Sequence, residues 1–313
     1  MRRLRPLRTL PLLALVSALA MACNSSGGTA ASGVATPSVA ASTTAGSAPF
    51  IPQLVSSETI VGTNRFLFGI DDASGTKSIG TPDIKVQVGF QSAGPPAATI
   101  QPTAARFIWA IPDERGLYSA EVTFPTAGDW TAVFRASGAG LPAADVSLQF
   151  EVQQTGHAVP IGGSAPSVAT PTAATVADVA RIATDPTPDP SFYSTSEDAA
   201  LAKHEPFVLV FATPAFCVSK QCGPTLDGIK AVAKTEPGML FINVEPYKLQ
   251  YTGTQLQPVL DATNQLQEVA AAAAFGIVSE PWTFVVDGKG IVRGSFEAVV
   301  SPEELKAAIA AAR

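Results

Sequence analysis

The sequence predicts an all-β sandwich followed by an α/β domain, with an export signal in front of both. Three observations support this prediction. Short segments of the first half alternate apolar and polar residues, which is typical of strands with one buried face. The second half places continuous apolar runs of strand length between helical segments, as in a sheet covered on both faces. At 313 residues the chain is long enough to bury two separate cores.

The first 22 residues have the pattern of a secretory signal. Four arginines in MRRLRPLRTL precede the apolar run LPLLALVSALAMA, whose 13 residues are too few to span a bilayer. The end of this segment, ALAMAC, resembles a bacterial lipoprotein signal, and the resemblance implies that Cys23 becomes the lipidated N-terminus. The alternative is an ordinary signal cleaved after AMA. We therefore expect an extracytoplasmic lipoprotein held at the cell membrane, or else a secreted protein.

Charge and cysteine content narrow the possible partners. Residues 1–22 hold four of the 20 basic residues and none of the 26 acidic ones, so the chain without them has a net charge of −10. That charge argues against nucleic acid and gives no polybasic route to anionic lipid. Besides Cys23 the chain has only Cys217 and Cys222, in a compartment that permits disulfides. We expect these two to pair with each other or with another molecule.

Residues 23–48 are rich in Ser, Thr, Ala and Gly and are predicted to be a disordered tether. Residues 49–155 are predicted to be the sandwich. Turn signals such as DDASG and PDERG separate its strands, and six or seven strands in about 100 residues indicate an immunoglobulin-like arrangement. The predicted strands lie in TIVGTNRFLFGI, DIKVQVGF, ARFIWAIP, LYSAEVTFP, DWTAVFRAS and DVSLQFEVQ.

The sandwich region resembles small β-sandwich modules of bacterial exported proteins, including copper-resistance domains. Copper sites in such modules need His or Met ligands. Residues 49–155 contain no His, Met or Cys. We therefore expect a structural or partner-binding module without a metal.

Residues 156–190 are rich in Pro, Ala, Thr and Gly and are predicted to be a semi-stiff spacer, in which VADVARIA could dock on a neighbour. Residues 191–313 are predicted to be the α/β domain. Its predicted strands are PFVLVFAT and GMLFINVE, followed by the hairpin PWTFVVDGKGIVRGSFE with its turn at Asp287-Gly288. Its predicted helices are SEDAALAKH with Ser196 as cap, PTLDGIKAVAKT, QPVLDATNQLQEVAAAAAFG, and SPEELKAAIAAA with a capping box of Ser301 and Glu304.

This order of elements resembles the thioredoxin fold over residues 191–313. VLVFATPAFC matches the buried strand that leads into the redox loop, and Cys222-Gly223-Pro224 matches the CGP at the start of the redox helix. FGIVSEPWTFVVDGKGIV matches the segment in which the family has a cis-proline, here Pro281. The resemblance implies thiol–disulfide oxidoreductase activity on the thiols or disulfides of exported proteins, without a cofactor or metal. It makes Cys217 and Cys222 the catalytic pair, and it places Gly223, Pro224, Pro281 and Trp282 along the substrate groove.

The chain departs from the family in two ways. Thr225 stands where the second cysteine of Cys-x-x-Cys is expected, and the strand FVLVFA lacks the usual buried acidic residue. Residues five apart on a regular helix are more than about 7 Å apart at Cα, which is too far for a disulfide. Pro224, however, favours the first turn of a helix and so places the helix start near Gly223. Cys217 then lies in the preceding loop and can fold back towards Cys222.

The position of the helix start also predicts which thiol is more acidic. The N–H groups and the dipole at a helix N-terminus stabilise a thiolate and lower the pKa of a cysteine placed there. Cys222 is so placed in the sequence, with Lys220 two residues away. We therefore expect Cys222 to be the more acidic thiol and Cys217 to be its partner.

Two other functions stay open. The altered spacing also fits a non-enzymatic lipoprotein in which the disulfide is a structural staple and the sandwich binds a partner. Copper delivery of the Sco type requires cysteines separated by three residues and a downstream histidine, whereas four residues separate Cys217 from Cys222 and no histidine follows. His157 and His204 are interpreted as surface residues. The segment VEPY, residues 244–247, could reach the cysteine end of the sheet, although a plain loop is the simpler interpretation.

Overall fold

Two antiparallel sheets form the first part of the structure, a computed structural model that describes residues 48–313. The signal, Cys23 and the tether up to residue 47 lie outside the described residues. The strands are β1 (Phe50–Leu54), β2 (Gly62–Asp72), β3 (Lys85–Ser92), β4 (Thr99–Ala104), β5 (Arg106–Ile111), β6 (Arg115–Phe124), β7 (Gly128–Gly138) and β8 (Leu141–Val152). One sheet has the order β1-β2-β6-β5 and the other has the order β4-β3-β7-β8.

The two sheets share one core, as the alternating pattern predicts. In β3, Val86, Val88 and Phe90 are buried while Lys85 and Gln87 are exposed. Apolar side chains of both sheets meet in a single buried cluster with many aromatic rings. Strands β1 and β4 were not predicted from the sequence. Almost all of the β4 side chains are exposed, so its sequence has no buried face to reveal it.

The second part of the structure is a mixed α/β unit. Its sheet has the order β10-β9-β13-β14; β9 runs parallel to β10, and β13 runs antiparallel to both β9 and β14. The elements after β8 are α1 (Val176–Val179), a 3₁₀ helix (Pro190–Tyr193), α2 (Glu197–Ala202), β9 (Phe207–Phe211), α3 (Cys222–Ala233), β10 (Leu240–Val244), β11 (Leu249–Tyr251), β12 (Leu256–Pro258), α4 (Ala270–Phe275), β13 (Trp282–Val286), β14 (Val292–Glu297) and α5 (Pro302–Ala312).

The mixed sheet is covered on both faces, which explains its continuous apolar strands. Val208 and Val210 of β9 pack in a cluster with α3 and α5. Phe207, Leu209 and Phe211 of the same strand pack on the other side with α4. The capping box predicted for the last helix is present, with Ser301 and Glu304 each bonding the other's backbone N–H. No helix within residues 48–313 is long and apolar enough to cross a membrane.

One predicted helix is mostly wrong. The sequence QPVLDATNQLQEVAAAAAFG was expected to be helical throughout, but only α4 at its end is a helix. Residues 246–269 instead contain the β11–β12 hairpin and a tight turn, which we call the β10–α4 insertion. The Asp261 carboxylate accepts hydrogen bonds from the backbone of Thr263 and Gln265, and Asn264 has a φ of 61°. Asp and Asn favour such local turns over helix.

Residues 156–190, the expected spacer, run along the α/β unit. Val159 donates its N–H to Phe275, and Ala165 donates to Gly290. Val179 and Ala183, from the segment VADVARIA, are buried in the cluster beneath α3. Backbone bonding to the sheet's neighbours and a few buried aliphatic side chains thus order a segment whose composition predicts a linker.

Candidate functional site

The cysteine site lies where β9 ends and α3 begins. Residues 212–221 connect the two elements in a tight loop, in which the N–H of Phe216 bonds Thr213 and the N–H of Lys220 bonds Cys217. Lys220 has a left-handed φ of 60°, which turns the chain back before the helix. Cys217 therefore folds back onto the start of α3, and both cysteines are free thiols in the structure.

The sulfur of Cys217 sits at the N-terminus of α3. Its Sγ accepts the backbone N–H of Cys222 at 3.4 Å and lies 3.2 Å from the hydroxyl of Ser219. These donors stabilise a thiolate, as free N–H groups at a helix start do. A hydrogen bond from the Cys222 thiol, together with the Ser219 hydroxyl and the N–H groups of Cys222 and Gln221, lowers the pKa of Cys217 to about 5.

The expectation that Cys222 is the more acidic thiol is therefore wrong. Cys222 is indeed the first residue of α3. Its side chain, however, is 0% exposed, and the sulfur that receives the helix N–H belongs to Cys217, which is 9% exposed. The hydrogen bond to Cys217 and burial both raise the pKa of Cys222. Sequence position located the helix start correctly, but the fold of the loop decides which sulfur lies there.

A third titratable group joins the pair. The carboxylate of Glu280, directly before Pro281, forms with the sulfurs of Cys217 and Cys222 a group whose ligand atoms all lie within 4.8 Å of one another. Tyr247 donates its hydroxyl to Glu280 Oε2 at 2.5 Å. Burial raises the pKa of Glu280, so its carboxyl group is suited to exchange a proton with a neighbouring thiol.

Of the residues expected along the substrate groove, Gly223, Pro224 and Pro281 lie near the start of α3. The peptide bond between Glu280 and Pro281 is cis, and the carbonyl of Pro281 accepts the N–H of Ala298. The carbonyl of Ala298 in turn accepts the hydroxyl of Thr225, which ties the first turn of α3 to the Pro281 segment. Gly223 and Pro224 lie in that same turn and are partly exposed.

Trp282, the fourth residue expected along the groove, lies away from the cysteines. Its ring is 5% exposed and stacks on Phe284, and its indole N–H donates to Ser295. It packs on the α4 face of the sheet, whereas both cysteines pack on the α3 face. Successive strand residues point to opposite faces, so the neighbour of Pro281 is carried away from the sulfurs.

The three ligand atoms of Cys217, Cys222 and Glu280 are close enough to surround one metal ion. Two thiolates and a carboxylate are donors that zinc accepts, but three protein ligands leave its tetrahedral set incomplete. No histidine belongs to this group within the described residues. His157 instead contacts Glu58, and His204 lies near the carbonyl of Gly288.

Glu280 and Tyr247 were not predicted as site residues. One signal for Glu280 was available, because it directly precedes the proline that the thioredoxin resemblance brings to the cysteines. Tyr247 ends the segment VEPY, for which a plain loop was the simpler interpretation. Its contact with Glu280 bridges residues 33 positions apart and depends on the path of the β10–α4 insertion. Comparison with known proteins adds no assignment, because no family model and no curated protein matches the chain.

Proposed function

We propose that residues 191–313 form a thioredoxin-like domain and that the protein exchanges thiols and disulfides through Cys217 and Cys222. The main support for exchange is that the Cys217 sulfur accepts the N–H of Cys222 at the start of α3, with the Glu280 carboxyl group close to both sulfurs. The loop's position between β9 and α3, and the strand order of the mixed sheet, support the fold assignment. We further propose that the protein is exported, is anchored through a lipidated Cys23, and acts on thiols or disulfides of other exported proteins.

In the reductive direction, the Cys217 thiolate attacks one sulfur of a substrate disulfide. The substrate S–S bond breaks, a mixed disulfide with Cys217 forms, and the first substrate sulfur leaves as a thiolate that takes a proton from solvent. Cys222 then gives its proton to Glu280 and attacks the Cys217 sulfur. The Cys217–Cys222 disulfide forms, the second substrate sulfur leaves and is protonated, and two protein thiols have been oxidised as one substrate disulfide is reduced. The oxidative direction reverses these steps.

Burial gives each cysteine a separate role. Cys217 is the more exposed sulfur, and its neighbour Val218 is 92% exposed, so a substrate can approach from that side. Cys222 is enclosed, and its sulfur lies within 4.8 Å of the Cys217 sulfur and a Glu280 carboxylate oxygen, as a resolving thiol requires. A raised thiol pKa makes Cys222 dependent on a base at the second step.

A redox titration combined with trapping tests this function. The full-length protein is equilibrated in glutathione buffers of graded potential, and the Cys217–Cys222 disulfide is scored by alkylation. We expect a midpoint above about −300 mV, in the range of exchange-active pairs. Cys222→Ser is expected to trap a mixed disulfide with a model disulfide substrate, and Cys217→Ser is expected to trap none. Equal trapping by both variants contradicts the assigned roles.

The second candidate is a structural staple, and the burial of both sulfurs favours it. In that case the sandwich binds a partner and the disulfide only holds the loop to α3. A midpoint below about −300 mV, with no exchange activity and a large loss of stability on reduction, is the expected pattern.

Copper delivery is tested in parallel by titrating the reduced protein with Cu(I). Retention of the ion by wild type but not by Cys217→Ser is the positive result.

A further inference from the structure

A cavity of about 440 Å³ lies beside the cysteine site. Its floor is the end of β10, where Asn243 and Glu245 lie with Tyr193. Residues from the segment 156–190 form one wall, and residues of the β10–α4 insertion form the other. The aliphatic residues of these walls and the floor are Ile182, Val244, Leu249, Val259 and Val269. This volume is in the usual range for small-molecule sites.

The floor presents buried acceptors that lack donors. Asn243 is 2% exposed and Glu245 is 6% exposed. The Asn243 amide donates to the Tyr193 hydroxyl, but its Oδ1 has no partner within the described residues. Glu245 Oε1 accepts the N–H and the hydroxyl of Thr184, but Oε2 has no partner there. Buried acceptors are normally satisfied, so this floor is suited to a ligand that brings several N–H donors.

The exposed side of the cavity carries positive charge, opposite to that of an ionised Glu245 at the floor. Arg181 and Lys248 are exposed residues that line the cavity, and neither has a carboxylate partner in the described part of the chain. The guanidinium of Arg181 lies over the ring of Tyr251, 5.3 Å from its centre, which holds the cation near the mouth. The amine of Lys248 bonds the side-chain oxygen of Gln267. The cavity therefore has the Glu245 carboxyl group and the Asn243 amide oxygen at its floor, aliphatic walls, and two cations at its rim.

We propose that this cavity binds a small zwitterion with an apolar side chain, namely a free amino acid or a short peptide, through its ammonium and carboxylate groups. The ammonium supplies three donors to Glu245 and Asn243. The carboxylate pairs with Arg181 and Lys248, and the side chain packs on the aliphatic walls. Charge-assisted bonds in a partly dry pocket are the strong ones, so both charged groups of the ligand contribute to affinity.

Calorimetric titration of the full-length protein tests the proposal with four probes. L-leucine carries both charges, leucinamide lacks the carboxylate, N-acetyl-leucine lacks the ammonium, and the dipeptide leucyl-leucine separates the two. We expect leucine or leucyl-leucine to bind, leucinamide to bind about 10-fold more weakly than the better of these two, and N-acetyl-leucine not to bind detectably. The preference between leucine and the dipeptide identifies the free amino acid or the peptide as the ligand.

Two variants locate the binding. Glu245→Gln keeps an acceptor for Thr184 and removes the charge, and we expect at least a 10-fold loss of leucine affinity. Arg181→Ala changes an exposed residue; it is expected to weaken leucine by about 10-fold and to leave leucinamide unchanged. Lys306→Ala, an exposed cation on α5, is the matched control and leaves both probes unchanged.

Several outcomes overturn the proposal. They are equal binding of leucine and N-acetyl-leucine, unaltered leucine binding by folded Glu245→Gln, or no binding of any probe. A Cys217→Ser, Cys222→Ser double variant separates this proposal from thiol exchange, because we expect it to bind the zwitterion as wild type does. Loss of exchange with retained binding therefore affects only the proposed function, and the reverse affects only the cavity.

Discussion

The acidity of Cys217 depends on four donors that meet at its sulfur. The Cys222 thiol, the Ser219 hydroxyl and the N–H groups of Cys222 and Gln221 all face the same atom, while burial opposes them. A lowered pKa means that Cys217 is a thiolate at neutral pH, when Cys222 is still a thiol. The two cysteines of one short loop are thereby set apart by their hydrogen bonds, although both belong to similar apolar surroundings.

The first prediction concerns alkylation of the reduced protein. Iodoacetamide is expected to modify Cys217 before Cys222, with a rate that rises with pH through about 5 and is level by neutral pH. Cys222→Ala removes the thiol donor and is expected to move the Cys217 transition upwards by about one unit or more, whereas Cys222→Ser retains a donor and moves it less. The measurement is thiolate absorbance against pH, with the alkylated residue identified by mass spectrometry. Faster modification of Cys222 contradicts the assignment.

The second prediction concerns Glu280. Replacing it by Gln keeps the shape and the bond from Tyr247 but removes the proposed base beside Cys222. We expect the second chemical step to slow by about 10²-fold, so that the mixed disulfide on Cys217 accumulates while the first step stays fast. Quenched-flow trapping of the two steps measures this split. Tyr247→Phe is the control, because it removes only the donor to Glu280; equal slowing of both steps in Glu280→Gln indicates a structural effect.

At the scale of elements, two segments that frame the site could not be predicted from the sequence. The alternating strands, the buried β9 and the Ser301 capping box have strong local signals, and each occurs in the structure. Residues 156–190 and the β10–α4 insertion have the composition of linkers or of Ala-rich helix. Their structure comes from distant partners, such as Ala165 with Gly290 and Tyr247 with Glu280. Contacts of such sequence separation leave no periodic pattern to detect.

One buried carboxyl group, that of Glu197 in the first turn of α2, also helps to hold residues 156–190 in place. Its Oε2 accepts the N–H of Val168 at 2.8 Å, and its own N–H bonds the hydroxyl of Thr170 at 3.0 Å. The side chain is 0% exposed, and its Oε1 has no partner within the described residues. Burial raises the pKa of Glu197 to about 7.

The third prediction follows from that shift. A carboxyl group with a raised folded-state pKa favours folding when protonated, so its stabilisation is complete below about 4.5 and is lost as the pH rises to about 7. Glu197→Gln is expected to lack this loss and to gain about 3 kcal/mol relative to wild type between pH 4.5 and pH 8. Urea unfolding at both pH values measures it. Glu303→Gln, at an exposed glutamate of α5, is the control; a pH-independent difference between Glu197→Gln and wild type contradicts the prediction.

At the scale of the whole molecule, the sandwich and the α/β unit meet in a mixed polar and apolar interface. Leu67, Ile108 and Leu117 of the sandwich pack with Val299, which lies between β14 and α5. Ser57 of the sandwich bonds the carboxylate of Glu297, at the end of β14. These contacts reach the segment that also holds Ala298, the link between Thr225 and Pro281. The sandwich therefore contacts the segment that supports one side of the cysteine site.

The most connected residue of this interface is Arg65, in β2. Its guanidinium forms two bonds to Glu304, at 2.8 and 3.1 Å, and donates to the carbonyl of Val299 at 2.8 Å. The side chains of Arg65 and Glu304 are only 18% and 13% exposed. Glu304 also caps α5, so one ion pair joins the sandwich, the β14–α5 connection and the last helix. A partly buried pair of this kind costs most when one partner is removed, because the other charge is left without compensation.

The fourth prediction is therefore made for Arg65→Ala. We expect it to lower the free energy of unfolding by about 2 kcal/mol and to uncouple the two units, so that calorimetry resolves two thermal transitions where wild type has one. Arg65→Lys keeps the charge but cannot bond both Glu304 oxygens and the Val299 carbonyl in one plane, so an intermediate loss is expected. Since Val299 adjoins Ala298, Arg65→Ala is also expected to speed the alkylation of Cys217 in the reduced protein. A single transition at the wild-type temperature, with unchanged alkylation, would mean that the apolar cluster around Val299 couples the units without the ion pair.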